Sequence, residues 1–379
     1  MTRPPRIIVG LSGGIDSAVA ALLLQQAGHE VIGATLRFRP CGPDAQSHRR
    51  SCCGPGAVEQ AAAVAEQLGI RHYVLDCHQA FAEQVLRPCW DALAAGRTPN
   101  PCVFCNAAVK FSRLLELAHD VDAEAVATGH YARVTLEAGR PALYRGDDPL
   151  KDQSYFLCAL APDQLRRIRF PLNGWHKTDL RRFAAEHGLC NARRRDSQDV
   201  CFAAAQGGFA EFLRLTFAAP ARPGQFVDRQ GRVLGEHAGI HLFTVGQRHG
   251  LGNGSGTPRW VHSIDAASGR VVLCDDPADL LAAGCRADNL RWLVAPAELP
   301  ARCEAQTRYR QTPAAVTLVP SPPDGSRVQV RFDTPQAAVT PGQLLVLYRG
   351  NQLLGGGWIT EALPAGGEDH AGVVRGGRV

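Results

Sequence analysis

Two groups of residues in this chain have the types and spacing that chemistry needs. The first is Gly10-Leu11-Ser12-Gly13-Gly14-Ile15-Asp16-Ser17, which follows the apolar run Ile7-Ile8-Val9 and precedes Ala18-Val19-Ala20-Ala21. A β-branched strand, a glycine turn and a helix, in that order, expose backbone N–H groups at a helix N-terminus, where the dipole favours an anion. Gly13 and Gly14 let the backbone approach a phosphate, Ser12 and Ser17 add hydroxyl donors, and Asp16 adds a carboxylate. The run lacks the Gly-Lys-Ser/Thr ending with which a P-loop holds a γ-phosphate. The second group is a set of cysteines. Thr98-Pro99-Asn100-Pro101-Cys102-Val103-Phe104-Cys105-Asn106 places two thiols on a proline-stiffened loop that opens a helix, where the dipole stabilises a thiolate. Cys201 follows the triplet Arg193-Arg194-Arg195, a setting that favours a thiolate by charge. A structural zinc site would need a second Cys-x-x-Cys or a His pair, and no such partner has the right spacing.

The elements that must position these residues alternate from residue 6 to about 135. Strands are expected at Ile7–Gly10, Val31–Phe38, Tyr73–Cys77 and Ala125–Thr128, with helices at 17–27, 57–68, 79–95 and 106–119 between them. That alternation implies right-handed crossovers and a parallel sheet covered on both faces. Ligands of such sheets bind beyond the carboxyl ends of the strands. The glycine turn, Leu36 near the end of the second strand, and Thr128-Gly129-His130 all fall at that edge. After about 210 the pattern changes to short β-rich runs between Gly and Pro turns: Gly224–Val227, His241–Val245, Arg270–Leu273, Glu304–Arg310, Arg327–Asp333 and Leu344–Tyr348. The expected fold class is therefore α/β: a parallel-sheet domain over 1–209, a small central β-rich domain over 210–284 and a C-terminal β-barrel over 285–363. A Gly-rich tail, expected to be disordered, follows at 364–379.

Bulk properties narrow the class further. The start Met-Thr-Arg-Pro-Pro-Arg has no apolar core of a signal peptide and no stretch approaches a membrane span, so a cytoplasmic protein with no membrane partner is expected. Thirteen cysteines in that setting argue against a disulfide framework. Cys77, Cys158, Cys274, Cys285 and Cys303 are expected to be small buried hydrophobes. Cys41, Cys52 and Cys53 sit in a turn-rich insertion over 39–56 without zinc spacing. Basic side chains are almost all arginine, since lysine stands only at positions 110, 151 and 177. The net charge of +5 is uneven, with Arg166-Arg167, Arg181-Arg182 and Arg193-Arg194-Arg195 crowded into 161–200. Such crowding is either a solvated face or a surface for a polyanion.

The order Ser12-Gly13-Gly14-x-Asp16-Ser17 resembles the PP-loop of the ATP pyrophosphatases, which bind the pyrophosphate of ATP, and points to an adenine nucleotide alpha hydrolase-like domain. More of the chain, roughly residues 6 to 361, resembles the bacterial tRNA-specific 2-thiouridylases. The resemblance runs through Gly96-Arg97-Thr98-Pro99-Asn100-Pro101, Cys105-Asn106, Lys110-Phe111, Thr128-Gly129-His130-Tyr131, Lys151-Asp152-Gln153-Ser154-Tyr155-Phe156-Leu157 and Cys201-Phe202. It continues through Thr244-Val245-Gly246-Gln247-Arg248, Thr307-Arg308-Tyr309-Arg310-Gln311 and Ala338-Val339-Thr340-Pro341-Gly342-Gln343.

That resemblance implies ATP-dependent 2-thiolation of the wobble uridine of tRNA, with Mg²⁺ accompanying ATP. The base O2 is adenylated, because an amide-like carbonyl oxygen leaves only when it is activated, and sulfur then replaces it. By position, Cys201 carries the incoming persulfide and Cys105 is the partner nucleophile. The family's ATP contacts carry over to Gly10, Leu11, Ser12, Gly13, Gly14, Ile15, Asp16, Ser17, Leu36 and Gly129. Its target-base contacts fall on Asn100, Pro101 and Cys102, and its other tRNA contacts on His130, Lys151, Asp152, Gln153, Arg308, Tyr309 and Gln343. Substrates implied are the Lys, Glu and Gln tRNAs; the sulfur donor is a relay protein or a cysteine desulfurase. The chain departs from the pattern at Cys102, where well-known members carry an Asp that is a candidate proton-handling group. Cys102, Cys105 and Cys201 then make three thiols, a set compatible with a [4Fe–4S] cluster that binds sulfide, and equally with a Cys201 persulfide resolved by Cys105. The persulfide route is preferred, since a Cys-x-x-Cys pair with one distant thiol is ordinary in redox loops.

Replacing Asp16 or Ser17 is expected to abolish adenylation while tRNA binding survives, because the basic segment and the β modules lie elsewhere in the chain. A filter-binding assay that showed tRNA affinity lost in step with activity would contradict that separation.

Overall fold

The computed structural model describes residues 4–39, 55–194, 208–251, 258–319 and 325–365; Cys41, Cys52, Cys53, Arg195 and Cys201 lie outside the described residues. The chain opens with β1 (Arg6–Gly10), α1 (Ile15–Gln26), β2 (Glu30–Arg37), α2 (Pro55–Gln67) and β3 (Arg71–Asp76). There follow α3 (His78–Phe81), α4 (Arg87–Ala94), α5 (Pro101–Phe104), α6 (Phe111–Asp120) and β4 (Ala125–Thr128). A hairpin, β5 (Ala132–Glu137) and β6 (Arg140–Arg145), then leads to α7 (Pro162–Arg166), β7 (Ile168–Arg169), α8 (Lys177–Glu186) and α9 (Gly208–Thr216).

Five of these strands make a parallel sheet in the order β3-β2-β1-β4-β7. The β-branched run Ile7-Ile8-Val9 pairs with Ala125-Val126-Ala127 and is buried on both faces, as a central parallel strand must be. On one face α1 packs Ala21 and Leu24 into the cluster of Ile7, Val9, Val31 and Ala125, while its Ala18, Val19 and Ala20 meet Leu172, Leu180 and Ala184. On the other face α6 contributes Phe111, Leu114 and Ala118. The helix expected at 79–95 is broken by a π-turn at Ala82–Leu86, and that expected at 106–119 opens with another at Cys105–Lys110. Single π-turns of this kind gather at functional sites.

Beyond α9, a four-stranded sheet is built from β8 (Gly224–Val227), β9 (Val233–His237), β10 (Trp260–Asp265) and β11 (Arg270–Cys274) around Phe226, Ile240, Phe243, Val261 and Leu273. The segment His241–Val245, expected to be a strand, is not one. A 3₁₀ turn at Ile240–Leu242 replaces it, because the His241 ring turns inward against Trp90 of α4 at 5.5 Å instead of alternating across a sheet.

The last module comprises β12 (Leu281–Trp292), β13 (Arg302–Gln306), β14 (Ala314–Val319), β15 (Arg327–Ala337), β16 (Leu344–Arg349) and β17 (Gln352–Pro364). They pair in the order β12-β15-β14-β13-β16-β17, and β17 returns to β12, so the six antiparallel strands close into a barrel. Closure removes both sheet edges. The β5–β6 hairpin, missed in the sequence, leaves the α/β pattern and pairs with β17 through Leu143 and Leu353. Leu143, Leu344, Val346 and Leu353 thereby join Ile8, Ile32 and Val126 in one continuous core. The barrel is therefore packed into the parallel-sheet domain and not tethered to it.

Cys77, Cys158, Cys274 and Cys285 are buried and Cys303 is half-buried, in keeping with the sequence expectation. Burial pushes the thiols of Cys158, Cys285 and Cys303 up to about 12, which keeps them unreactive. Among the described residues no helix is long and apolar enough to cross a membrane.

Burial lowers the pKa of His72, His237, His241 and His262 from the ordinary histidine value, so folding disfavours their protonated forms. As pH falls through the ordinary value of about 6.5, the unfolded chain gains protons that the folded chain does not, and stability drops. A urea-unfolding series between about pH 7.5 and about pH 5 is expected to show a falling midpoint, less steep in His237→Phe; a midpoint independent of pH would contradict this.

Candidate active site

The carboxyl ends of β1, β2 and β4 frame a cavity of about 310 Å³. It is lined by Gly10, Leu11, Ser12, Asp16 and Ser17 of the glycine turn, by Leu36, Gly129, His130 and Gln153, and by Pro101, Cys102, Cys105 and Asn106 of the thiol segment. The glycine turn is held by its own hydroxyls. The Ser12 N–H donates to Ser17 Oγ at 3.1 Å, Ser17 Oγ donates to the Gly14 carbonyl at 3.0 Å, and Gly14 N–H donates to Ser12 Oγ at 3.3 Å. Gly13 has φ +71°, and a Cβ there would stand 2.7 Å from the Ala57 carbonyl oxygen, so only glycine fits. A Cβ on Gly129 would lie 2.7 Å from the Asp16 carbonyl carbon, which brings the β4 loop against the start of α1. Ile15, assigned with the ATP contacts, is buried in the core beneath the turn.

Four residues that sequence reasoning did not assign to the turn support it. Lys177 Nζ lies 2.6 Å from Asp16 Oδ1, and the Tyr131 hydroxyl donates to the same oxygen at 2.8 Å. Asn191 Nδ2 and Arg194 Nη1 both donate to the Gly13 carbonyl at 3.1 Å. A signal for Lys177 was present, because the chain uses lysine at only three positions. Lys110 lines the cavity, Lys177 reaches Asp16, and Lys151 adjoins Asp152 and Gln153. A compact ammonium with three donors stands at the site, whereas the rest of the surface uses guanidinium.

The thiol segment starts at Asn100, the residue before α5, which is buried beside the cavity without lining it. Asn106 is buried, its Nδ2 donates to the Phe156 carbonyl at 3.0 Å, and its Oδ1 has no partner among the described residues. His130 is packed between Phe111 and Phe170, with Nδ1 2.7 Å from Thr128 Oγ1. That burial, with Lys110 adding to it, holds its imidazole well below the ordinary range, so it faces the cavity neutral. Among the described residues no group of three His, Cys, Asp or Glu side chains is arranged for a metal ion. Of the three thiols considered for a cluster, Cys102 and Cys105 share the cavity, and Cys201 is outside the described residues.

The remaining positions assigned to tRNA contacts divide. Gln153 lines the cavity and its Oε1 accepts from the Tyr131 N–H at 3.1 Å. Asp152 and Tyr309 line a second cavity of about 540 Å³, together with Arg145, Gln306 and Arg310. Asp152 accepts from Arg145, Gly146 and Ser154. Tyr309 packs on Phe156 at 4.3 Å, which forms part of the wall of the first cavity. Lys151 closes a turn over 148–151, its N–H donating to the Asp148 carbonyl at 3.0 Å. Arg308 instead points into the protein, donating to the Val245 carbonyl at 2.9 Å and to Thr340 Oγ1 at 2.6 Å. Gln343 donates to the carbonyls of Thr98 and Pro99 at 3.0 and 3.3 Å. Much of the arginine-rich segment is likewise engaged with main-chain carbonyls: Arg166 with Gly139, Arg167 with Ala123, and Arg181 with Arg194.

Family models match the chain in three consecutive parts: a tRNA methyl transferase HUP domain over residues 5–205, a tRNA methyl transferase PRC-barrel domain over 211–275 and an aminomethyltransferase β-barrel domain over 282–359. The chain is 45% identical over 362 residues to a tRNA-specific 2-thiouridylase MnmA of Sorangium cellulosum, covering 94% of this chain and 93% of the relative. It is 42% identical over 370 residues to the protein of the same name from Geobacter metallireducens, covering 95% and 98%. The chain belongs to the tRNA-specific 2-thiouridylase family.

Lys177→Met leaves the Asp16 carboxylate without its ammonium at the phosphate-binding turn. ATP-dependent turnover is expected to fall about tenfold or more, and Lys177→Arg is not expected to restore it, because a planar fork cannot occupy the place of a compact ammonium. Equilibrium dialysis with ATP beside a turnover assay checks this; unchanged ATP affinity and turnover in Lys177→Met would show the pair to be dispensable.

Proposed function

We propose, taking that family membership as the premise, that this enzyme carries out ATP-dependent 2-thiolation of the uridine at the wobble position of tRNA, releasing AMP and pyrophosphate. The observation that carries the reading is that one cavity is lined both by Ser12, Asp16 and Ser17 and by Cys102 and Cys105. A phosphate-binding turn and a thiol pair lining one cavity suit a reaction in which a carbonyl oxygen is first adenylated and then displaced by sulfur. The N–H groups at the start of α1 would receive the pyrophosphate, whose departure follows attack of the base O2 on the α-phosphorus. Mg²⁺ accompanying ATP would supply further charge at that turn, where the chain offers the Ser12 and Ser17 hydroxyls and the Asp16 carboxylate. Leu36 and Gly129 bound the space beside it for the adenosine.

The outer sulfur of a persulfide on Cys201 attacks C2, AMP leaves, and the base is held to Cys201 through a disulfide. The Cys105 thiolate attacks the Cys201 sulfur, which releases the 2-thiouridine and leaves a Cys105–Cys201 disulfide for an external reductant. Asn100, Pro101 and Cys102 would border the target base, and His130, Lys151, Asp152, Gln153 and Tyr309 would contact the surrounding nucleotides. A neutral His130 suits a hydrogen bond to a base or sugar better than a charge contact to phosphate. Substrate tRNAs for Lys, Glu and Gln, and a relay protein or cysteine desulfurase as sulfur donor, are part of this proposal.

A second reading is favoured by one observation, the presence of Cys102 beside Cys105 in the cavity wall. With Cys201, these thiols would hold a [4Fe–4S] cluster that supplies inorganic sulfide as the incoming sulfur, and the chain's other groups would keep their roles.

Two measurements test the proposal and separate its forms. Nucleosides from a deletion strain, resolved by mass spectrometry, are expected to lack 2-thiouridine derivatives; an unchanged profile overturns the function. Iron and acid-labile sulfide are then determined in anaerobically purified enzyme. Full activity without iron, tolerance of Cys102→Ala and inactivity of Cys105→Ala and Cys201→Ala are expected of the persulfide route. Stoichiometric iron with dependence on all three thiols selects the cluster.

A further inference from the structure

The segment that delivers Cys102 and Cys105 to the cavity is not held by its own domain alone. Residues 96–101 cross a junction where the central sheet and the barrel both reach it. Thr98 N–H donates to the Pro341 carbonyl at 2.9 Å, and Thr98 Oγ1 donates to Thr244 Oγ1 at 3.2 Å. Gly96 has φ +69°, and a Cβ there would stand 2.8 Å from Ile264 Cγ2 of β10. Gly342 has φ +89°, and a Cβ there would lie 2.8 Å from both the nitrogen and the oxygen of Thr98. Into this contact the Gln343 amide donates two hydrogen bonds, to the Thr98 and Pro99 carbonyls. Those carbonyls precede Asn100 and α5 directly and have no helical partner of their own.

A second contact bears on the thiol helix itself. Phe104, between the two thiols, stacks on Trp358 of β17 with ring centres 4.5 Å apart and planes 18° from parallel. In the barrel Trp358 pairs with Leu344, the neighbour of Gln343. Gln343 and Trp358 are therefore adjacent on one rim of the closed barrel, one fixing the entry to α5 and the other its outer face. The rim is anchored by Arg308, which ties Thr340 to Val245 of the central module and is buried enough for its basicity to be lowered.

From this geometry we infer that Gln343 and Trp358 are positioning residues of the barrel that set where the Cys102-x-x-Cys105 thiols stand in the cavity. This rests on the sulfur-transfer reading above, and it gives Gln343 a role other than direct contact with tRNA. The reaction requires a thiol within bonding reach of a sulfur on another segment, and a displacement of about 1 Å in such an arrangement costs about 100-fold in rate. Two donors and a stacked ring supplied by a rigid barrel are the means by which a short, four-residue helix is kept to that tolerance.

The test uses the full-length enzyme. Gln343→Met keeps length and removes the donor; Trp358→Ala removes the stack, and Trp358→Phe retains an aromatic face. In Gln343→Met and Trp358→Ala the single-turnover rate of 2-thiouridine formation is expected to fall about tenfold or more, with the dissociation constants for tRNA and for ATP within about twofold of wild type. The iodoacetamide reaction rate of Cys105, read by peptide mass spectrometry across a pH series, is expected to shift in both variants, and Trp358→Phe is expected to restore rate and alkylation profile together. If tRNA affinity falls by the same factor as turnover while Cys105 alkylation is unchanged, Gln343 is a tRNA contact and the inference is overturned. Wild-type turnover and alkylation in both variants overturn it as well. Should the wild-type enzyme form no 2-thiouridine, the functional reading fails, and the alkylation profiles still decide whether the barrel positions the thiols.

Discussion

The approach of Gly129 to the start of α1 is the constraint on which the site depends. A single Cβ at that position would collide with the Asp16–Ser17 peptide, so the loop after β4 can close on the phosphate-binding turn only as glycine. The parallel pairing of β1 with β2 and with β4 sends three strand ends to one edge, and the glycine contact draws two of the following loops together there. The cavity is what remains between those loops and the thiol segment. Tyr131, two residues past Gly129, is placed by the same loop to hold Asp16, and Lys177 completes the arrangement from α8. A glycine turn whose carboxylate and carbonyls already have partners in the protein needs little reorganisation for the anion proposed to bind there.

The two β modules have a part in this that their distance in sequence conceals. The barrel shares its core with the parallel sheet through Leu143, Leu344, Val346 and Leu353, and its rim meets the residues that lead into the thiol helix. The central sheet meets the same residues through Thr244 and Ile264. A mobile attachment of either module would leave the Thr98 and Pro99 carbonyls unpaired at a partly buried junction, which is costly. Joining the modules at the thiol segment makes the glycine-turn wall of the cavity a property of the parallel-sheet domain, and the thiol wall a property of all three modules.

The parallel sheet, its strand positions and the glycine turn were legible in the sequence, because apolar β-branched runs, helical periodicity and a glycine cluster are local signals. The cavity's membership was legible in part. Ser12, Asp16, Ser17, Leu36, Gly129, His130, Gln153, Cys102 and Cys105 fall where a strand-edge site requires, whereas Lys177, Asn191 and Arg194 come from segments more than 150 residues from the turn they support. No local pattern encodes that return. The hairpin β5–β6 was missed because its partner is β17, about 200 residues later, and its alternation is short. His241–Val245 misled because its apolar content reads as a strand while the His241 ring is committed to Trp90. Arg308 and Gln343 show the opposite difficulty: their polar types suggest a nucleic-acid surface, yet each spends its donors inside the protein.

The proposed reaction activates the base and sulfurates it in one cavity, with Cys105 acting after the nucleotide step. Cys105→Ser enzyme, loaded with ATP labelled at the α-phosphate and with tRNA, tests this most directly. Without a sulfur donor, labelled AMP is expected to become attached to tRNA as pyrophosphate is released; with the donor added, labelled AMP is expected to leave while the tRNA stays disulfide-linked to Cys201 and no free 2-thiouridine forms. A Cys105→Ser enzyme that releases 2-thiouridine normally, or one that binds ATP and tRNA yet never transfers label, would contradict it.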